Sequence, residues 1–329
     1  MNVMHLLSSA IRGTIIAPPG KKLVISDLAN IEGRDAAWLA GEDWKTAAFR
    51  AYDEGTGPDL YKLAYAKSFG MSHEDVTKDQ RSIGKVQELA GQYQGSLGAF
   101  MTFAAGYGID LDDMAAKALP TIPSEALQEA AGLYDWYQEK GLSTYALKAQ
   151  TAIVIFCFVQ GWRAGHPAIS SYWKELEHKV VLAIESPGKT VVARKCKIRR
   201  DGAWLRILMP SGRYICYPHP LVDDKGKISY MGVDQFTKKW TRIPTYGGKC
   251  WENICQGFAR DVLFDHMPAV EEAGYTIVLR VHDELVTEAP DTDEYNSDQL
   301  SALISAPLEY CADMPLAAAG FEAYRYRKD

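Results

Sequence analysis

At 329 residues the chain is long enough for one or two subdomains with a sizeable core. Lys and Arg number 36 against 42 Asp and Glu, a formal charge of −6, so the chain is no polycation and any polyanion contact must come from local clusters. No apolar run is long enough to span a bilayer and no signal-peptide pattern is present, which makes the cytoplasm the default location. The six cysteines are scattered without paired metal spacing and read as reduced thiols.

In chain order, Leu23–Asp27 reads as a buried strand ending on a carboxylate, followed by a helical run from Asp35 to Ala40 and a second helix beginning near Asp59. Thr77 or Asp79 supplies an N-cap for a helix through residues 80–93. Helical periodicity continues through Ser124–Lys140 and Tyr145–Arg163, with Pro120 and Pro123 marking a break. From Val180 to Tyr230 short β-like runs alternate with Gly and Pro turns, including Met209–Arg213. Glu252–Met267 reads as helix, and Tyr275–Pro290 as a β-hairpin. Strands and helices mixed with an antiparallel hairpin predict an α+β fold.

Three segments carry candidate chemistry. The hairpin tip holds Asp283 and Glu284, where glycine is the usual choice, and two carboxylates on a rigid turn suit a divalent cation; a solvated acidic turn is the bland alternative. Asp27 ends a buried strand, where a carboxylate is costly unless it binds something, or else it caps the next helix. Arg81, Lys85, Leu89 and Tyr93 recur every four residues, which aligns two cations, an apolar side chain and a ring on one helix face. Such a face can hold phosphates and stack on a base, or simply be a solvated basic turn over a packed helix.

Together the three segments resemble motifs A, B and C of the family-A DNA polymerases, the DNA polymerase I type. Asp27, Ile31-Glu32 and Arg34 match motif A; Arg81, Lys85 and Tyr93 match motif B; Val281-His282-Asp283-Glu284 matches motif C. Residues 245–256 with Arg260-Asp261 resemble the helix preceding motif C, and Gly91–Ser96 and Trp162–Pro167 resemble the bacteriophage branch. The resemblance implies an antiparallel polymerase palm with an inserted helical fingers subdomain: residues 1–78 the first part of the palm, 79–175 the fingers, and 176–329 the second part with a β-rich insertion. It implies that Asp27 and Asp283 hold two Mg2+ ions with the backbone carbonyl of Leu28, Glu284 being a weaker candidate ligand. Arg81 and Lys85 would bind the triphosphate, with Lys85 assisting the leaving group. Glu32 would exclude a ribose 2′-hydroxyl, and Leu89 and Tyr93 would flank the incoming nucleotide. Gln256, His282 and Arg34 would lie near the primer end or the DNA.

The implied partners are primer-template DNA and deoxynucleoside triphosphates, and no membrane. Lys195 and Arg199, in the basic run from Lys189 to Arg200, are candidates for following a nucleic-acid backbone, as is the cluster Lys238, Lys239, Arg242 and Lys249 around Trp240. Departures from the family pattern are Leu28 for Tyr, Leu89 for Phe or Tyr, Gln94 for Gly, and Tyr61 where His is common. Motif A begins within about thirty residues of Met1, with at most the end of an upstream binding segment in Ser8–Ile16. The expectation is a chain without thumb or exonuclease domain, acting in a host cytoplasm with a partner that carries one or both. The alternative from another class is a non-catalytic primer-template or replisome-binding remnant.

Overall fold

A computed structural model describes Leu7 and residues 10–327; Ser8, Ser9 and Lys328, which the sequence reading assigned to terminal segments, lie outside the described residues. Most of the chain is a run of helices followed by a run of antiparallel strands, the segregated order that an α+β reading requires. The helices are α1 (Ile31–Ala40), α2 (Asp43–Asp53), α3 (Leu60–Phe69), α4 (Lys78–Gly91), α5 (Leu97–Gly106), α6 (Leu111–Ala118), α7 (Ser124–Glu139), α8 (Ala149–Gly165), α9 (Pro167–Glu185), α10 (Gly247–Glu272) and α11 (Ser297–Ile304). The strands are β1 (Lys21–Leu28), β2 (Thr190–Ala193), β3 (Cys196–Asp201), β4 (Trp204–Leu208), β5 (Tyr214–Pro218), β6 (Leu221–Val222), β7 (Ile228–Val233), β8 (Trp240–Thr245), β9 (Thr276–Val281), β10 (Glu284–Pro290) and β11 (Ala318–Ala323). The chain divides into two compact units, one of residues up to Asp35 with 210–212 and from Cys255 onward, the other of 36–209 and 213–254.

The first unit is built on a four-stranded antiparallel sheet in the order β11-β1-β10-β9. Its central strand β1 is buried from Lys22 through Ser26, because both faces are covered. On one face Leu23 and Ile25 pack with Val286 and Tyr326. On the other, Ser26 Oγ lies 2.8 Å from Ser301 Oγ of α11. Residues two apart share a strand face, so Asp27 continues the Leu23–Ile25 row. Gly320 lets β11 close on β1, since a Cβ there would stand 2.3 Å from the Ile25 carbonyl oxygen.

The second unit is mainly helical, with its core around Val86, Phe100, Ile155, Phe156 and Phe158. The Phe100 and Phe158 rings stack at 5.6 Å. A four-stranded meander, β2-β3-β4-β5, and a three-stranded sheet, β6-β7-β8, complete it. Helix α4 begins where the sequence predicts: Thr77 and Gln80 form a reciprocal capping box. Gly84 is required at the α3–α4 contact, where a Cβ would lie 2.1 Å from the Tyr61 carbonyl oxygen.

Several sequence expectations need correction. Helix α2, opened by an acidic first turn, was not anticipated. Helix α9 runs to Glu185, so strands start at Thr190 rather than Val180; burial of Val180, Ala183 and Ile184 along a helical stripe overrides their β propensity. Helix α10 extends from Gly247 to Glu272, past both predicted ends. Tyr93 lies two residues beyond the end of α4, so the four-residue row breaks after Leu89. All six cysteines are free thiols. Among the described residues no helix is long and apolar enough to cross a membrane.

Candidate active site

Antiparallel pairing brings motif A and motif C together within the first unit. Asp27 pairs with Glu284 across β1 and β10, and Leu28 N–H donates to the Asp283 carbonyl at 3.1 Å. Directly opposed residues project from the same face about 5 Å apart, so Asp27 and Glu284 are side-by-side acids. The β9–β10 turn is His282-Asp283, not Asp283-Glu284 as expected, because Glu284 already pairs with Val281 and opens β10. His282 takes φ +59°, the left-handed place that glycine favours in a tight hairpin. Its ring then lies over the acids, with Nδ1 2.9 Å from Asp283 Oδ1 and Nε2 3.5 Å from Glu32 Oε1.

The electrostatics follow from crowding. Asp27 is pushed up to about 7, first by the protein atoms that displace water around it, then by the charges of Asp283 and Glu284 and a hydrogen bond with Asp283. His282 partly opposes that rise, and its own pKa moves upward, chiefly through its hydrogen bond to Asp283. No Lys or Arg ion pair with Asp27 or Asp283 occurs among the described residues. Glu284 differs, since its Oε1 accepts the Tyr326 hydroxyl and is thereby fixed. Sequence reasoning missed Tyr326; the only local signal was an aromatic-basic tail, Tyr324-Arg325-Tyr326-Arg327.

The remaining motif A residues divide by burial. Arg34 is only 2% exposed, and its guanidinium donates to the carbonyls of Ala29 at 2.7 Å and Pro315 at 3.3 Å. The structure places it as a brace for the strand-to-helix connection rather than on the surface. Asp35, not singled out from sequence, is fully buried with neither carboxylate oxygen bonded among the described residues. Burial first, then the charges of Glu32 and Asp261, hold Asp35 well above the usual carboxylate range. Asp27 lies inside the sheet, four residues before the first residue of α1, so it does not cap that helix. Gln256 is exposed on α10.

The motif B residues lie in the second unit. Arg81 Nη2 donates to Asp59 Oδ2 at 2.8 Å, while Asp59 Oδ1 caps α3 through the N–H groups of Tyr61 and Lys62. The Tyr61 ring lies under both cations, 5.3 Å from the Arg81 guanidinium and 5.7 Å from Lys85 Nζ. Tyr107 approaches Lys85 more closely, at 4.4 Å, and Lys85 has no ion pair among the described residues. Leu89 and Tyr93 are both half-buried. On the buried side of α4, Glu88 contacts Lys45 Nζ, His166 Nε2 at 3.1 Å and Trp162 Nε1 at 2.9 Å. Burial alone would raise the Glu88 pKa, but Lys45 and His166 outweigh it and hold the acid ionised. In the basic β2–β3 hairpin, Lys195 Nζ lies 4.0 Å from the centre of the Trp38 ring, and Arg199 pairs with Asp201 at 2.6 Å.

Among the described residues no group of three or more His, Cys, Asp or Glu side chains is arranged to enclose a metal ion. The acid pair is thus an open, partial donor set of oxygen atoms. Such a set suits a hard cation that retains water and takes its remaining ligands from a phosphate.

No protein-family model matches the chain. A DNA polymerase of Bacillus phage SP02 is 28% identical over 334 aligned residues, covering 99% of this chain and 44% of the relative. DNA polymerase I of Pseudomonas aeruginosa is 40% identical over 75 residues, 23% of this chain and 8% of that protein. Among solved structures, the POL domain of Pol1 from M. smegmatis, in complex with DNA primer-template and dNTP, is 16% identical with a TM-score of 0.48 over 96% of this chain and 42% of that one. The chain spans less than half the length of each of these proteins. Its resemblance to DNA polymerases, read first from three short motifs, extends over nearly the whole chain.

Proposed function

We propose that the chain carries out template-directed addition of deoxynucleotides to a primer 3′-hydroxyl, using the first unit as palm and the helical part of the second as fingers. The observation that carries this reading is the juxtaposition of Asp27 and Asp283, acids far apart in sequence that share a hydrogen bond, with Asp283 adding to the rise in Asp27's affinity for protons. A site that crowds negative charge with no Lys or Arg ion pair among the described residues, and only His282 beside it, favours an external cation. Asp27 and Asp283, with the Leu28 carbonyl, would hold Mg2+; when bound, the ions would neutralise triphosphate charge and acidify the attacking hydroxyl. The fixing of Glu284 by Tyr326 supports a positioning role for that carboxylate rather than a primary ligand role.

The rest of the reaction requires positioning more than covalent chemistry. Arg81 presents a fork suited to phosphate oxygens, and Lys85 presents an ammonium that has ring contacts but no ion pair among the described residues. In this reading Lys85 Nζ would give a proton to the departing pyrophosphate. Glu32, anchored near His282, occupies the position assigned to sensing a ribose 2′-hydroxyl. Leu89 and Tyr93 flank the base and sugar in this reading, and Gln256 and His282 contact the primer-template.

The test is incorporation of labelled deoxynucleotide on an oligo-thymidylate-primed polydeoxyadenylate template with Mg2+. It is run with the chain alone and with fragments of the phage relative that lie outside the matched 44%. Incorporation is expected in at least one arrangement. Bound primer-template with no incorporation in any arrangement would leave the binding-remnant reading in its place.

A further inference from the structure

The six-residue turn between β7 and β8, Asp234–Lys239, is built to hold its shape. Asp234 Oδ1 accepts from Phe236 N at 3.1 Å, Thr237 N at 2.7 Å and Thr237 Oγ1 at 2.8 Å. Backbone bonds of 2.9 Å from Asp234 N to Lys239 O and from Lys238 N to Asp234 O close it, with Lys238 at φ +57°. At its end Phe236 is 93% exposed, and Trp240, the first residue of β8, is 59% exposed. An ordered turn that leaves two large rings in water is unusual unless they meet a partner.

The pairing register assigns the ribbon's faces. Val233 opposes Trp240 and Met231 opposes Arg242, so these four share one face. Tyr230, on the other face, packs its ring against Tyr217 at 4.9 Å, so that side is covered within the protein. The open side carries Val233 and Trp240, with Arg242 held by the His219 carbonyl and Ser229 Oγ. Lys238 and Lys239 are exposed and have no ion pair among the described residues. The turn's own carboxylate, Asp234, is taken up by the bonds above.

We infer that this ribbon is a contact for a nucleic-acid single strand: Phe236 and Trp240 stack on unpaired bases, and Lys238, Lys239 and Arg242 hold the adjoining phosphates. Exposed rings interleaved with cations are the arrangement that single strands select, since every base offers a π-face and every link a negative charge. A protein partner would have to bury the same lysines, which interface cores avoid. A paired duplex would offer phosphates but no free base face to Phe236. The inference deepens the nucleic-acid reading above and rests on it for the kind of partner, but it is measured without catalysis.

The experiment is fluorescence anisotropy of a labelled oligo-thymidylate and of a blunt duplex with the full chain across a salt series. Phe236→Ala and Trp240→Ala each weaken single-strand binding about five- to tenfold and leave duplex binding unchanged. Lys238→Ala/Lys239→Ala lowers the single-strand salt slope by about 1.4. Variants that bind as the unaltered chain does, an equal loss on duplex, or an unaltered chain that binds no single strand would each overturn the inference. A chain that shows these losses but never adds nucleotides keeps this contact and removes the enzymatic reading. One that adds nucleotides with hairpin variants binding normally does the reverse.

Discussion

The acid cluster at the β9–β10 turn and the buried ion cluster on α4 use the same residue types to opposite ends. In the second unit, Glu88 is 5% exposed yet ionised, because Lys45, His166 and Trp162 meet it from inside the protein. In the first unit, Asp27 is driven toward the neutral acid, first by the protein atoms that displace water around it and then by its neighbours Asp283 and Glu284. The internally matched cluster holds a helix in place. The unmatched one favours a cation from outside, and an arrangement that costs stability in the free protein is a mark of a working site.

The largest expected effect follows from removing one half of the acid pair. Asp283→Asn lowers nucleotide addition at least a thousandfold, ~4 kcal/mol of barrier, with unchanged circular dichroism and primer-template binding. Retained synthesis would show that the pair is merely an acidic turn. On the other side of the comparison, Glu88→Ala leaves Lys45 buried without its counter-charge and destabilises the chain by about 3–5 kcal/mol in urea unfolding. A loss below about 1 kcal/mol would mean that the buried cluster is not internally matched as described.

Smaller effects sharpen the contrast. Glu32→Ala raises ribonucleotide relative to deoxyribonucleotide incorporation by roughly tenfold, about 1.4 kcal/mol of discrimination; an unmoved ratio removes Glu32 from sugar selection. Asp27→Asn stabilises the metal-free chain. The folded acid titrates near 7 against an ordinary 3.8, so the carboxyl's contribution to stability is fully present below 3.8 and lost as pH rises to 7. The gain in Tm from the amide is therefore absent at low pH, grows between these values, and reaches about 2 °C above them. A gain independent of pH would point to packing instead of charge.

Much of the fold's local structure was legible in the sequence because its signals are local. The capping box at Thr77 and Gln80 fixes the start of α4, and the apolar row Leu23–Ile25 identifies β1. The juxtaposition of Asp27 and Asp283 was implied only by resemblance, since neither strand specifies its partner. The same limit explains the misplaced turn: whether Asp283 or Glu284 is the last tip residue depends on pairing with Asp27 and Val281, which no local pattern encodes. Lys45, Glu88 and His166 come from three helices or their ends, so their cluster has no period to read. Arg34 carried a motif signal, but its burial on two backbone carbonyls is a property of packing.

The central claim is that the acid pair is poised for an external divalent cation, and Mn2+ binding followed by electron paramagnetic resonance tests it most directly. The unaltered chain is predicted to remove free Mn2+ signal, more strongly as pH rises through about 7 and Asp27 loses its proton. Asp27→Ala/Asp283→Ala is predicted to leave that signal in solution. Equal binding by both proteins, or no binding by the unaltered chain even with nucleotide and primer-template present, would contradict the account.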